Sequence, residues 1–176
     1  NDAPVFSTMP ITAATEDGAY SYTATASDID GDALTFAAPT KPTWLSFNTS
    51  SKVLSGTPLN ANVGDHTVVL TVSDGTVSVE QSFTITVINT NDAPAFTSTA
   101  ITAAPEDAAY SYTVAASDID GNTLIYLATT LPTWLTLVDN GDGTASLSGT
   151  PANADIGDHP VVLTVSDGTT TVNQST

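Results

Sequence analysis

The stretch HTVVLTVSDGTVSVEQSFTITV, residues 66–87, decides the fold class of this chain. Its apolar residues alternate with polar ones in two runs, which the turn-forming pair Asp74-Gly75 separates. A period of two, broken by a turn signal, is typical of strands with one buried face. The side chains predicted to face inward are those of Val68, Leu70, Val72, Phe83, Ile85 and Val87.

The chain is a tandem repeat. Asn1-Asp2-Ala3-Pro4 returns at positions 91–94, and after Trp134 the offset grows because of an insertion around 139–143, which predicts a longer hairpin turn. Several short strands per repeat, with Asp-Gly turns, indicate an all-β fold of antiparallel, immunoglobulin-like sandwiches. We expect one sandwich over 1–90 and a second over 91–176, in an extended arrangement.

The second repeat is shorter than the first. Thr176 aligns with Phe83, so the second repeat lacks the counterparts of the apolar residues between Phe83 and Ile88. We expect its last strand to be truncated and its sheet edge to be open. Two explanations stay open: the missing residues follow in a longer chain, or another chain supplies them.

Composition excludes several function classes. The 176 residues include 2 Lys and Arg against 19 Asp and Glu, for a net charge of −17. Such a surface repels nucleic acid and acidic lipid headgroups. With no cysteine, disulfides, thiolate metal sites and cysteine nucleophiles are excluded. No apolar run is long enough for a spanning helix, so we expect no direct membrane insertion.

The acidic residues recur at turn positions in both repeats. Asp28, Asp30 and Asp32 are spaced two residues apart, and the second repeat has Asp118, Asp120 and Asn122 there. Several oxygen ligands converging in one turn suit Ca²⁺, whereas the alternative is that Asp and Gly only form the turn. An EF-hand is excluded because no Glu stands at the twelfth position of either loop and no flanking helices are predicted.

These motifs resemble a cadherin repeat in their order along the chain. The resemblance is carried by Glu16, by the sequence Ala26-Ser27-Asp28-Ile29-Asp30-Gly31, by Val72-Ser73-Asp74-Gly75, and by the linker at 89–94. Pro42-Thr43-Trp44-Leu45, followed by Leu54-Ser55-Gly56-Thr57-Pro58, is more similar to the dystroglycan-type cadherin-like or immunoglobulin-like repeats of large bacterial surface proteins.

The resemblance implies Ca²⁺ ions at the junction of successive domains. The interdomain site that it implies consists of Glu16, Asp17, Asn89, Asn91, Asp92, Asp118, Asp120 and Asp167. An N-terminal half site would contain Asn1, Asp2, Asp28, Asp30 and Asp74. A C-terminal half site would contain Glu106 and Asp107. The linker has Asn89 where cadherins usually have Asp, and Ala93 where they have Asn, so we expect fewer ions per junction than in cadherins.

The function that the resemblance implies is cell adhesion or calcium-rigidified extension in an extracellular, secreted or cell-surface protein. Its partners would be neighbouring repeats, with homophilic contacts or cell-surface polysaccharide as further candidates. The alternative is a polysaccharide-binding module, with Trp44 and Trp134 as sugar-stacking platforms, although packing in the core is the other role for these residues. We expect no enzymatic activity, because the acids recur at turns and no serine lies in a nucleophile motif.

Overall fold

The computed structural model describes residues 1–176, which divide into two compact units, Asn1–Thr90 and Asn91–Thr176. Each unit is built of β-strands and one short 3-10 turn. The predicted all-β, immunoglobulin-like fold is confirmed. No helix of the chain has the length and apolar character needed to cross a bilayer.

Unit 1 contains nine strands, and its 3-10 turn covers Asn60–Asn62. Their bounds are β1 Val5–Phe6, β2 Ala13–Thr15, β3 Tyr20–Thr23, β4 Ala26–Ser27, β5 Thr35–Thr40, β6 Leu45–Asn48, β7 Val53–Gly56, β8 Gly64–Ser73 and β9 Ser78–Ile88. One sheet has the order β2-β9-β8-β5, a second has the order β3-β7-β6, and β1 pairs with β4.

Unit 2 contains seven strands, with a 3-10 turn at Asn153–Asp155. Their bounds are β10 Ala95–Phe96, β11 Tyr110–Ser117, β12 Ile125–Thr130, β13 Leu135–Asp139, β14 Thr144–Gly149, β15 Val162–Ser166 and β16 Thr171–Ser175. The sheets have the orders β10-β11-β14-β13 and β12-β15-β16. The insertion at 139–143 forms the predicted longer hairpin turn between the antiparallel strands β13 and β14.

The core of unit 1 confirms the alternation seen in the sequence. Val68, Leu70, Val72 and Ile85 have no exposed surface, and the polar residues between them face outward or lie at intermediate depth. β8 and β9 pair along their whole length, so the inward faces of both strands line the same core. The corresponding residues of unit 2, among them Leu163 and Val165, are buried in a second, separate core.

Tyrosines join the two sheets of each unit. The Tyr22 hydroxyl contacts the Gln81 side chain at 2.9 Å and the Thr8 hydroxyl at 2.9 Å. In unit 2 the Tyr112 hydroxyl contacts Gln174 at 2.9 Å in the same way. Tyr20 and Tyr110 are also buried, so both tyrosines of each pair belong to the core.

Candidate metal-binding loops

The acidic loop of unit 1 follows β4 directly, and Asp28 organises it. The Asp28 Oδ1 accepts hydrogen bonds from the backbone N–H of Asp30 at 2.9 Å and of Asp32 at 3.4 Å. Gly31 permits the turn because its φ is +78°, a conformation that costs little without a Cβ atom. The loop therefore folds around one carboxylate oxygen.

Three carboxylates of this loop converge. Asp28, Asp30 and Asp32 each offer an oxygen, and these oxygens all lie within 4.8 Å of one another. Negative charges this close repel unless a cation lies between them. The spacing predicted from the sequence is thus realised inside unit 1, by itself, with geometry that a hard cation could use.

The second carboxylate oxygen of Asp28 is buried and accepts no hydrogen bond. The same is true of the Asp118 Oδ2 in unit 2. A buried acceptor without a partner costs about 1–3 kcal/mol, and more when it is charged. A cation bound at this oxygen would remove that cost, so the same uncompensated atom in both repeats indicates a binding role more directly than the acidic composition does.

The loop of unit 2 has the same backbone pattern. The Asp118 Oδ1 accepts from the N–H of Asp120 at 3.0 Å and from the N–H of Asn122 at 3.2 Å, and Gly121 has a φ of +74°. Asn122 replaces a carboxylate by an amide, which keeps an acceptor oxygen and removes one negative charge.

The N-terminal Asn-Asp pair of each unit contacts this loop and a neighbouring turn. In unit 2 the N–H of Asp92 donates to the Asp120 Oδ2 at 2.7 Å, and the Asn91 side chain donates to the Asp167 Oδ2 at 2.9 Å. In unit 1 the N–H of Asp2 donates to the Asp30 Oδ2 at 2.6 Å.

A further acidic residue of each unit lies in the Asp-Gly turn that the Asn-Asp pair contacts. Asp74 accepts from the Asn1 side chain at 2.9 Å and from the N–H of Val77 at 2.6 Å. The hydrogen bond from Asn91 and the backbone N–H of Thr170 lower the pKa of Asp167 below its ordinary value of 3.8. The Val77 N–H and the Asn1 side chain lower the pKa of Asp74 in the same direction. Both groups are ionised at neutral pH.

Glu16 and Asp17 lie in the turn after β2. Glu16 is only 3% exposed, and its Oε2 accepts from the N–H of Thr90 at 3.1 Å. Asp17 has a φ of +56°, and its N–H donates to the Pro58 carbonyl at 2.8 Å. Glu16 is therefore held against the last residue of unit 1, one position before Asn91 in the sequence.

The corresponding acids of unit 2 differ in their burial. Glu106 and Asp107 are both exposed, although the N–H of Asp107 donates to the Pro151 carbonyl at 2.9 Å as Asp17 does in unit 1. The N–H of Glu16 donates to the carbonyl of Ile88, the last residue of β9, at 2.9 Å.

Part of each predicted ligand set therefore lies close together within a single unit. Unit 2 brings together the residues of two neighbouring turns and the Asn-Asp pair, and unit 1 does the same at its own N-terminus. Asn89 is exposed, and the assignment of the full interdomain set stays a prediction. The burial of one partnerless oxygen in Asp28 and in Asp118 could not be predicted from the sequence, since the burial of a single atom depends on tertiary packing.

Neither tryptophan is a free platform. Trp44 and Trp134 are half-buried against their cores, edge-on to Tyr20 at 5.9 Å and to Tyr110 at 6.0 Å. The His66 ring lies edge-on to Trp44 at 5.8 Å, and its Nε2 contacts the Asn62 carbonyl at 2.6 Å. These contacts agree with packing roles for the two tryptophans.

Comparison with known proteins agrees with this architecture. The family model described as "Putative Ig domain" matches residues 3–88 and again residues 93–176. Two structures of human protocadherin-24 EC1-2 share the fold: one has a TM-score of 0.58 at 17% identity, covering 100% of this chain and 95% of that chain. The other has a TM-score of 0.54 at 18% identity, covering 100% of this chain and 94% of that chain.

A third structure matches at higher identity. An endo-fucoidan hydrolase from glycoside hydrolase family 107 is 30% identical over 98% of this chain, with a TM-score of 0.46. The chain spans only 28% of the length of that hydrolase. The search of curated protein sequences gives no match.

Proposed function

Because the chain belongs to the immunoglobulin-like family described as "Putative Ig domain" and contains two of its domains in tandem, we propose that it is a calcium-binding, cadherin-like module of a large bacterial surface or secreted protein. In this role it acts in adhesion or as an extender that calcium makes rigid. The module is non-catalytic, and its working environment is extracellular.

The observation that carries the proposal is the uncompensated carboxylate oxygen in each repeat. The Oδ2 atoms of Asp28 and Asp118 are buried without a hydrogen-bond partner, while the Oδ1 atoms of the same side chains hold the loops in shape. A loop that serves only as a turn needs Oδ1 alone. A cation ligand explains why the second oxygen is kept out of water in both copies.

The donor set selects the class of cation. Only oxygen ligands are present, from carboxylates and from the Asn122 side chain, and cysteine is absent from the chain. Hard cations with six to eight oxygen ligands, such as Ca²⁺, suit this set, whereas zinc and copper prefer nitrogen or sulfur. In unit 1 the ligands are Asp28, Asp30 and Asp32, and in unit 2 they are Asp118 and Asp120 with Asn122.

The remaining predicted ligands extend these loops. Asp74 and Asp167 are ionised and lie in the turn that holds the Asn-Asp pair, so they add negative charge at the same end of each unit. Glu16 and Asp17 belong to unit 1, and the interdomain site to which they were assigned remains a prediction from the resemblance. Bound calcium would also offset part of the net charge of −17.

The affinity expected of such a site agrees with an extracellular compartment. Extracellular calcium modules typically bind with dissociation constants of about 10⁻⁴–10⁻³ M. Such a site is occupied where calcium is millimolar, outside the cell. The partners proposed for the module are neighbouring repeats, with homophilic contacts or cell-surface polysaccharide beyond them. The polysaccharide-binding alternative has less support, because it depended on tryptophan platforms and both tryptophans pack against the cores.

Thermal unfolding with and without calcium tests the proposal. A ligand with a dissociation constant in this range, at about 5 mM, stabilises the folded state by about 1–2 kcal/mol per ion, which raises Tm by several degrees. We expect this rise on going from EDTA to CaCl₂. In the double variant Asp118→Ala, Asp120→Ala, the Tm of unit 2 in CaCl₂ should equal the Tm of unit 2 of the same variant in EDTA.

The matched control is Glu80→Gln with Asp158→Asn, which removes the same two negative charges from exposed positions outside the loops. This variant should keep the full calcium response. An equal loss of the response in both double variants would show that calcium only screens net charge, and an unchanged Tm in the wild-type protein would contradict the proposal outright.

A further inference from the structure

An irregular segment of unit 1 connects its first two strands. Residues 7–12 form no strand, and β1 and β2 on either side of them have only two and three residues. Ladders of such short strands supply few backbone hydrogen bonds to hold this part of the chain. The segment is nevertheless fixed, because side chains from both sheets of unit 1 hydrogen-bond to it.

Thr8 is the centre of these contacts. Its hydroxyl contacts the Tyr22 hydroxyl at 2.9 Å and accepts from the N–H of Thr25 at 2.9 Å. Its carbonyl accepts from the Gln81 Nε2 at 2.9 Å, and the Gln81 Oε1 contacts the Tyr22 hydroxyl at 2.9 Å. Tyr22 belongs to β3 and Gln81 to β9, so Thr8 is bound to both sheets at once. We call Thr8, Tyr22 and Gln81 the clasp of unit 1.

Unit 2 has the same clasp, built from Ser98, Tyr112 and Gln174. The Ser98 hydroxyl contacts the Tyr112 hydroxyl at 2.7 Å, and the Gln174 Nε2 donates to the Ser98 carbonyl at 2.9 Å. The N–H of Ala115 donates to the Ser98 Oγ at 2.8 Å, as Thr25 does to Thr8 in unit 1. Serine in place of threonine loses a methyl group and keeps the hydroxyl, so the two units share the hydrogen-bonding group at this position.

The clasp lies at the boundary of the core. Tyr22 and Tyr112 are 3% and 4% exposed, and the hydroxyl and amide partners are partly buried. Buried hydrogen bonds add little net stability, because each replaces a bond to water. They do fix one residue at a defined position between two sheets, and in surroundings of low dielectric each bond is harder to break.

Tension on unit 1 acts on the clasp. The chain enters unit 1 at Asn1, and it leaves after β9, which ends at Ile88. Since β2 and β9 are parallel, a force that separates the two ends pulls the first residues along the strands and away from β9. The clasp stands between β1 and β2, so both of its side-chain bonds to Thr8 must break before the force reaches β2.

We propose that the clasp is a load-bearing contact, which resists extraction of the N-terminal segment when the unit is under tension. This is a mechanical function, distinct from cation binding, because the clasp contains none of the acidic residues of the loops. Its use in a surface extender rests on the proposed function, whereas the resistance itself requires no calcium. The clasp of unit 2 holds residues 97–101 in the same way.

Constant-force unfolding of single molecules of the full chain, in EDTA, tests the proposal. Because the chain has no cysteine, two introduced cysteines define the points at which force is applied. Handles at Asn1→Cys and Asn89→Cys load the segment, whereas handles at the exposed positions Ser50→Cys and Asn89→Cys leave it outside the loaded path. In the first geometry, Tyr22→Phe should shorten the lifetime of unit 1 at least about tenfold, equivalent to a barrier lower by about 1.4 kcal/mol.

The second geometry separates a load-bearing role from a contribution to core stability. There, Tyr22→Phe should change the lifetime only by the factor by which it speeds unfolding without force. Tyr22→Phe keeps the aromatic ring, and Gln81→Met, which removes both amide contacts at similar length, should behave in the same way. Ser82→Ala is the matched control, because Ser82 lies beside Gln81 on β9 and is exposed, and it should change neither geometry.

The proposal is overturned if both clasp variants leave the lifetime in the first geometry unchanged, or if they shorten it by the same factor in both geometries. Loss of resistance in Ser82→Ala as well would equally overturn it. Because no calcium is present, either result is independent of whether the acidic loops bind calcium.

Discussion

At the scale of single residues, Gly56 and Gly149 are fixed by contact with the tryptophan backbone. A Cβ atom at Gly56 would lie 2.1 Å from the Trp44 carbonyl oxygen, and one at Gly149 would lie 1.9 Å from that of Trp134. Neither distance is possible between real atoms. With any residue other than glycine at these positions, the strands β7 and β14 would therefore have to move away from the tryptophan backbone. Close packing against the tryptophan backbone thus explains why the Leu-Ser-Gly-Thr-Pro motif of both repeats contains glycine.

We expect Gly56→Ala to lower the free energy of unfolding of unit 1 by about 1–3 kcal/mol or more, because the backbone of Trp44 must move. Ser21→Ala is the control, since Ser21 lies on the neighbouring strand and is exposed. Urea unfolding followed by Trp44 fluorescence, in a Trp134→Phe background, gives the comparison. Equal stability of the glycine and alanine proteins would contradict the close approach.

Some features of single residues could be predicted from the sequence, and others could not. The spacing of Asp28 and Asp30 was enough to predict that their carboxylates converge, because a turn two residues long brings them together. The burial of Glu16 and the exposure of its counterpart Glu106 could not be predicted, because the local sequences are alike and burial depends on tertiary packing. The burial of the partnerless Asp28 oxygen could not be predicted from the sequence for the same reason.

At the scale of elements, β9 is the strand on which unit 1 depends. Its first half pairs only with β8, and its second half lies between β8 and β2. The alternation of residues 66–87 predicted both long strands and their inward faces. The parallel pairing with the three-residue β2 was not foreseen, because Ala13–Thr15 is too short to give a periodic signal.

We expect Ile85→Ala to destabilise unit 1 by about 2–5 kcal/mol, since a fully buried side chain is replaced by a cavity at the centre of its sheet. Thr84→Ala on the outward face of the same strand should cost far less. Chemical unfolding of both variants measures the difference. Similar losses in the two proteins would mean that this half of β9 is not part of the cooperative core.

At the scale of the whole molecule, two copies of one domain carry the same acidic loop with one residue changed. Unit 1 has three carboxylates at Asp28, Asp30 and Asp32, and unit 2 has two with Asn122. The repeat, the sandwich and the positions of the acids could be predicted from the sequence because each depends on local periodicity or turn chemistry. Ligand assignment across repeats depends on tertiary placement and came only from the resemblance to cadherins.

Equilibrium dialysis against calcium in the millimolar range counts the ions that the chain binds and so tests whether the acidic loops are calcium sites. We expect at least two ions per chain in the wild-type protein, one in each unit, fewer in Asp118→Ala, Asp120→Ala, and none in a variant that also carries Asp28→Ala and Asp30→Ala. Glu80→Gln with Asp158→Asn should bind as many ions as the wild type. Calcium bound in equal amounts by all four proteins, or by none of them, would show that the acidic loops are not calcium sites.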